Sequence, residues 1–297
     1  MIKTHCIRYW KKSMTNNVKT ALFVARERLT GYPNMKKVFF ERTGYELDLK
    51  NPQSLNQKIC WKKIHDRNPL LPIIADKYRV RQYLKDTLGI EESEKILIPL
   101  LYVTRDPLTI PFNQLPDEYI IKANHGSGEE FRLVVLDGKA VDRKYVIERC
   151  QNMLTRPYGA MQHEWAYQKI KRKIVIETLL RDKCGNIPHD YKFFIFHGQC
   201  QMIEVIDERY ALDRNWNYLK KGWKNTDGVK EKYTKKPENL EEMVNLAELL
   251  GSPFDFIRVD LYSVDGRTFF SELTNYPASG IDVRISKYPL QTAKALP

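Results

Sequence analysis

In the first third of the chain apolar positions recur at helical spacing, whereas beyond residue 116 they cluster in short runs bounded by Gly, Pro, Asn and Asp. The first pattern predicts helices over residues 18–29, 54–65 and 76–88, with Asp76 as N-cap of the third and Gly89 ending it. The second predicts strands over residues 118–123, 132–136, 173–179, 191–197, 201–206, 256–263 and 268–273. Helices over 143–154, 163–170 and 240–250 interrupt them. Two strand-rich lobes behind a helical region make an α+β fold. The expected divisions are residues 1–95, basic and mainly helical; 96–180, a small lobe; and 181–297, a large lobe. Residues 213–236 are polar, basic and without period, which predicts a mobile surface loop.

Composition narrows the class. With 297 residues, 42% of them hydrophobic and 29% charged, the chain is long enough for two or three lobes and is not of disordered composition. Its longest apolar runs, such as 96–103 with Pro99 inside it, fall far short of the roughly 20 residues a bilayer span needs. The polar segment 11–17 leaves no h-region of signal-peptide length, so export is not expected. Cys6, Cys60, Cys150, Cys184 and Cys200 form no C-x-x-C pair, which suits reduced thiols in a cytoplasm. His163 and Glu164 begin a zinc-type H-E pair, but Tyr167 stands where the second histidine belongs.

The net charge of +12 is unevenly placed: residues 1–40 hold nine Lys or Arg against one acid, Glu27. That segment is expected to serve docking and not chemistry, on an acidic polymer or the anionic inner face of a membrane. No zinc finger, helix-turn-helix signature or RNP motif argues for nucleic acid.

Three stretches carry candidate chemistry. The first is Glu118-Tyr-Ile-Ile-Lys-Ala-Asn-His-Gly-Ser-Gly128, a strand ending in Lys122 that runs into a glycine loop and then another strand. It is not a P-loop, whose glycines open a helix. Gly126 and Gly128 would let backbone N–H groups close over phosphate oxygens, and Lys122 would add charge; an ordinary hairpin loop reads the same way.

The second is Arg258-Val-Asp-Leu-Tyr-Ser-Val-Asp-Gly-Arg-Thr-Phe-Phe-Ser-Glu272. A three-residue loop over 264–266 would set Arg258 opposite Glu272 and Asp260 opposite Phe270, leaving Arg258, Asp260 and Glu272 on one face. Two carboxylates converging there repel unless a cation lies between them, and hard oxygens suit magnesium. A plain Arg258 to Glu272 salt bridge is the structural alternative. The third stretch, Glu272-Leu-Thr-Asn-Tyr-Pro-Ala-Ser-Gly280, can offer donors to an anion or be a simple turn.

In this order the elements resemble the ATP-grasp superfamily and, more narrowly, the teichuronopeptide-biosynthesis branch of ATP-grasp amide ligases. The similar stretches are Gly44-Tyr-Glu-Leu-Asp-Leu-Lys-Asn-Pro52, Ala75-Asp-Lys-Tyr-Arg-Val-Arg-Gln-Tyr-Leu84, Ile121-Lys-Ala-Asn-His-Gly-Ser-Gly128, Asp190-Tyr-Lys-Phe-Phe194, and Arg258-Val-Asp-Leu-Tyr262 with Glu272-Leu-Thr274. The resemblance implies an ATP-grasp fold whose two lobes grip ATP. It implies Lys122 on the phosphates, Gly126, Ser127 and Gly128 as a lid, Glu177 on the strand that reads adenine, and Lys192 facing the site. It makes Asp260 and Glu272 magnesium ligands, and Arg258 with Lys122 the catalytic cations. The usual E-x-N would put asparagine where Thr274 stands, so Thr274, Asn275 or a water completes the metal shell. Lys77 matches a recurrent Asp-Lys, yet with Arg81 and Lys85 it forms a stripe expected to face solvent.

The implied reaction joins a carboxylate to an amine through an acyl phosphate, with ATP and Mg2+. By the same resemblance the carboxylate is a uronic acid of a bacterial cell-surface polysaccharide or its precursor, and the amine an amino acid or relative. A kinase acting on a sugar hydroxyl and a non-enzymatic basic module are the competing readings.

Overall fold

The computed structural model describes residues 18–205, 210–219 and 235–282. Its helices form where the sequence supplies starts and stops. Residues 18–29 are helical (α1), and α2 (Pro33–Thr43) follows after a turn. At α3 (Leu55–His65) Ser54 and Gln57 make a reciprocal capping box, which satisfies two orphan N–H groups of the first turn. α4 (Leu71–Ile74), α5 (Val80–Leu88) and α6 (Ile90–Ile96) complete the N-terminal part, with Gly89 separating the last two.

Asp76 is not the cap of α5, which begins four residues later. Its Oδ1 instead accepts from the Tyr78 and Arg79 amides at 2.9 and 3.3 Å and from Asn124 Nδ2 at 2.8 Å. The carboxylate therefore closes a local turn and ties it to the end of a strand, a competing use of Asp that capping patterns do not distinguish.

The strands described form two antiparallel sheets. The first has the order β1-β4-β2-β3, built from β1 (Leu100–Thr104), β2 (Tyr119–Ala123), β3 (Arg132–Val135) and β4 (Ile174–Thr178). The second has the order β7-β6-β5-β8-β9, from β5 (Asp190–Phe196), β6 (Gln199–Val205), β7 (Tyr210–Leu212), β8 (Phe256–Val264) and β9 (Arg267–Thr274). The segment between α6 and β1 touches both sheets: Leu97 bridges to Phe270, and Pro99 O accepts from the Thr178 amide at 3.1 Å.

β1 and β7 were not predicted. β1 is an edge strand whose five residues are all half-buried, so no alternation marks it, and β7 has only three residues. The predicted helix at 163–170 contracts to α8 (Trp165–Gln168) because His163 sits at φ 62°, outside helical space. Of the predicted loop at 213–236, residues 220–234 lie outside the described residues, as do Ile206 and residues 1–17.

Each sheet owns a core. Phe193, Phe194, Ile203, Phe256 and Leu261 pack with α9 (Leu240–Gly251), whose buried Leu240, Met243, Val244, Ala247 and Leu250 keep a helical stripe. The first sheet packs Tyr119, Ile121 and Ile176 against Val146, Cys150 and Met153 of α7 (Arg143–Thr155). Each such aromatic or aliphatic side chain stabilises the fold by about 1.5 to 3 kcal/mol when fully buried.

Among the described residues no helix is long and apolar enough to cross a membrane. The described part of the basic N-terminal segment packs on the body: Glu27 is buried, accepts from the Asn34 and Met35 amides at 3.1 and 3.2 Å, and lies 3.7 Å from His163.

Candidate active site

β8 and β9 turn at Asp265 and Gly266, with φ of 50° and 80°. Both central residues in left-handed space make the two-residue hairpin turn that a glycine at the second position favours. The predicted three-residue loop is therefore wrong, and so is the register drawn from it. Val264 pairs with Arg267 and Leu261 with Phe270, after which Ser271 is an extra residue and Asp260 pairs with Glu272. The bulge restores the face that the turn alone would have lost. Arg258, Asp260, Glu272 and Thr274 all project from that face.

Arg258 gathers them. Its Nε and Nη2 donate to the two Asp260 oxygens at 2.7 and 2.6 Å, while Nη2 also reaches Glu272 Oε1 at 3.3 Å and Thr274 Oγ1 at 3.1 Å. Lys192, on the neighbouring β5, donates to Asp260 Oδ2 and Asp190 Oδ2, both at 2.8 Å. Burial alone would depress these cations, but the carboxylates outweigh it and raise both Arg258 and Lys192. For Glu272 burial pulls upward, yet Lys77, Arg258 and Lys192 overcome it and hold the carboxyl at about 2. Asp190, desolvated and beside Asp260, is pushed up to about 6.

The stripe expected to face solvent turns inward instead. Lys77 Nζ donates to the Gly126 carbonyl at 3.0 Å and lies 3.4 Å from Glu272 Oε2. Arg81 pairs with Glu177 at 3.2 Å, and Lys85, farther out, with Glu94 at 3.2 Å. Lys122 takes the other oxygen of Glu177 at 2.9 Å. Glu177 thus joins Lys122 of β2 to Arg81 of α5, from a position where it is only 7% exposed. Helical periodicity located these basic residues but carried no information about which face meets β9.

In the loop after β2, Gly126 lies where a Cβ would stand 2.3 Å from the Phe131 ring. Ser127 and Gly128 are exposed, and Ser127 lines the cleft. Phe131 meets His125 and Tyr158 edge to face at 5.4 and 5.2 Å, Tyr158 meets Tyr167 at 4.9 Å, and Tyr167 meets Tyr276 at 6.3 Å. Phe131 and the three tyrosines wall a cleft of about 490 Å³ that Lys77, Arg258, Glu272 and Thr274 also line. Asn275 is elsewhere: it is fully buried and its Nδ2 donates to the Leu71 carbonyl at 3.1 Å.

Whether these residues suit magnesium is a question of donors. Asp260, Glu272 and the Thr274 hydroxyl are hard oxygens on one face, as the ion requires. Among the described residues, however, no group of three or more His, Cys, Asp or Glu is disposed to hold a metal. Both oxygens of Asp260 are already engaged by cations. The set fits an ion that arrives with phosphate oxygens of its own, the usual habit of magnesium.

Two antiparallel sheets flanking a charged cleft with a glycine loop at its rim are the parts of an ATP-grasp fold. The chain belongs to the TupA-like ATP-grasp family, which matches over residues 57–289. It therefore has the ATP-grasp fold behind N-terminal helices. No curated protein matches it in sequence. Among solved structures, D-alanine–D-alanine ligase from Helicobacter pylori is 17% identical over 75% of this chain and 60% of its own, with a TM-score of 0.47. The Bacillus anthracis enzyme complexed with ATP is 17% identical over 68% of this chain and 54% of its own, TM-score 0.39. The ATP-grasp ligase PsnB, complexed with a phosphomimetic variant of its minimal precursor, Mg and ADP, is 15% identical over 96% of this chain and 72% of its own, TM-score 0.42. The chain spans less than two thirds of the two D-alanine–D-alanine ligases it resembles.

Proposed function

We propose that the protein is an ATP- and magnesium-dependent ligase joining a carboxylate to an amine through an acyl phosphate. The observation that carries this reading is the Arg258 fork, which binds Asp260, Glu272 and Thr274 on one sheet face, with Arg258, Glu272 and Thr274 lining a cleft that Ser127 of the glycine loop also lines. In this reading residues 1–95 scaffold the site, the lobe of residues 96–180 contributes Lys122, Glu177 and the lid, and that of 181–297 contributes Lys192 and the hairpin.

Lys122 and Lys192 bind the nucleotide phosphates, and Arg258 neutralises charge on the transferred phosphoryl group. Asp260, Glu272 and Thr274 would hold magnesium, which supplies Lewis-acid stabilisation of the phosphate oxygens. Ser127 and the flanking glycines close over the phosphates and exclude water, without which an acyl phosphate hydrolyses. The substrates follow from the family resemblance: a uronic acid of a cell-surface polysaccharide or its precursor, and an amino acid or related amine. The +12 charge favours such an acidic partner. We place the reaction in the cytoplasm, with the basic N-terminal segment able to rest on the anionic membrane face.

The test is a screen of uronic acids and amino acids for phosphate release from ATP, with the product weighed by mass spectrometry. An amide with free phosphate is the expected result. A stable phosphate ester would make the protein a kinase, and absence of substrate-dependent ATP consumption would sink the ligase reading.

A further inference from the structure

One end of the cleft holds a charged group that the reaction above does not use. Glu164, the second residue of the H-E pair, is 5% exposed and lines the same cleft as Arg258 and Glu272. Ser279 lines that cleft as well, and it and Lys63 favour the charged form of the Glu164 carboxyl. Lys63 of α3, itself 3% exposed, donates to Ser279 O at 2.8 Å and to Ser279 Oγ at 3.1 Å.

The backbone on both sides is strained. His163 has φ 62°, and Ala278 and Ser279 have φ 44° and 56°. Non-glycine residues in that region each cost about 1 to 3 kcal/mol and persist where the surroundings hold them. Here two such segments converge on one contact, between Glu164 and Ser279.

The walls indicate what would bind. Tyr158 and Tyr167, edge to face at 4.9 Å, line the same cleft as Glu164 and Glu272. Tyr276 lines the cleft too and Cys60 lies against the Ser279 carbonyl; burial pushes Cys60 and all three tyrosines up, so they are neutral, and the other charged groups lining the cleft are Lys77, Glu130, Arg156, Arg258 and Glu272. Lys63 is the cation that acts on Glu164. Its pull does not offset burial, which pushes the carboxyl up to about 7. A buried carboxylate with aromatic neighbours attracts a second cation and repels phosphate or another carboxylate.

We propose that Glu164, with Lys63 and Ser279 positioning it, is the amine subsite, and that its carboxylate binds the incoming ammonium and takes its proton as the carbon–nitrogen bond forms. This rests on the ligase reading. The amine, having given one proton to Glu164, attacks the acyl carbon of the acyl phosphate; the bond from that carbon to the phosphate oxygen breaks, and phosphate leaves with the electron pair and takes up the second nitrogen proton as hydrogen phosphate. Glu164 then passes its proton to water.

The experiment compares wild type with Glu164→Gln, using glucuronate as carboxylate probe, ATP and magnesium, and either glycine or hydroxylamine as nucleophile. Hydroxylamine is already neutral at neutral pH and traps an acyl phosphate as hydroxamate without a base. The expected result is a fall of about 10²-fold in the ratio of amide to hydroxamate, the scale of a lost general base. The wild-type amide rate should also show a limb near pH 7 that the variant lacks. An unchanged ratio overturns the proposal and leaves the ligase intact. No hydroxamate from wild type, with glucuronate or galacturonate, overturns the ligase reading and this proposal with it. Should Glu164→Gln not fold, Lys63→Met serves instead: removing that charge must move the limb to higher pH, and an unmoved limb overturns the assignment.

Discussion

Asp260 and Glu272 stand opposite each other across the last hairpin because Ser271 is an extra residue in its strand. Continued from the two-residue turn without that bulge, the ladder would pair Asp260 with Ser271 and send Glu272 to the opposite face. Deleting Ser271 removes the extra residue and leaves Asp260 opposite Glu272 and Arg258 opposite Thr274 in a regular ladder, so a folded protein that keeps substrate-dependent ATP turnover is expected. Circular dichroism and a phosphate-release assay check the two halves, and a folded variant without turnover would show that the bulge itself, beyond the pairing, sets the site.

Glu272→Gln keeps the shape and removes the charge. Turnover should fall by about 10² to 10³, as for other lost preorganised electrostatic groups. The same variant tests acid stability. Glu272 is held at about 2, below its ordinary value of 4.5, so its contribution is present above pH 4.5 and is lost as pH falls toward 2. Wild type should therefore lose stability more steeply than Glu272→Gln across that window, measured by denaturant unfolding at each pH.

Gly126→Ala pushes a methyl group to within 2.3 Å of the Phe131 ring. Overpacking of this kind costs about 1 to 3 kcal/mol. A lower melting temperature with weaker nucleotide affinity is expected, and a variant that melts and binds like wild type would mean that the loop shifts freely.

Removing Glu177 strands Lys122 and Arg81 without their shared partner. Glu177→Ala is expected to cost about 3 to 5 kcal/mol, because a broken buried pair leaves charge uncompensated. Glu177→Gln, which retains an acceptor oxygen, should cost less. Urea denaturation of both variants measures the difference.

The sequence exposes most helices and most strands because caps, periodicity and glycines are local signals, as at Ser54 and Gly89. It also brings Arg258, Asp260 and Glu272 to one face, though through an incorrect turn whose error the bulge cancels. Sequence spacing cannot reveal the bulge, since an extra residue is defined only against a partner strand. The sequence puts Lys77 and Arg81 in solvent for a related reason: periodicity gives a face, and only packing against β9 and β4 gives its surroundings. Glu164, Tyr158 and Tyr167 lie in a region of short, strained elements whose pattern carries little signal.

The pairing of Asp260 with Arg258 and Lys192 bears on how the hairpin holds together without a ligand. These buried charges are already balanced by side chains of the fold, so no ion is needed to hold the hairpin together. This is the reverse of a structural zinc site, where the chain comes apart once the metal is withdrawn. Stripping divalent cations with a chelator should leave the melting temperature unchanged while abolishing catalysis, and adding magnesium back should restore it at once, without refolding. On the ligase reading, a metal-starved cell would hold the protein intact but idle.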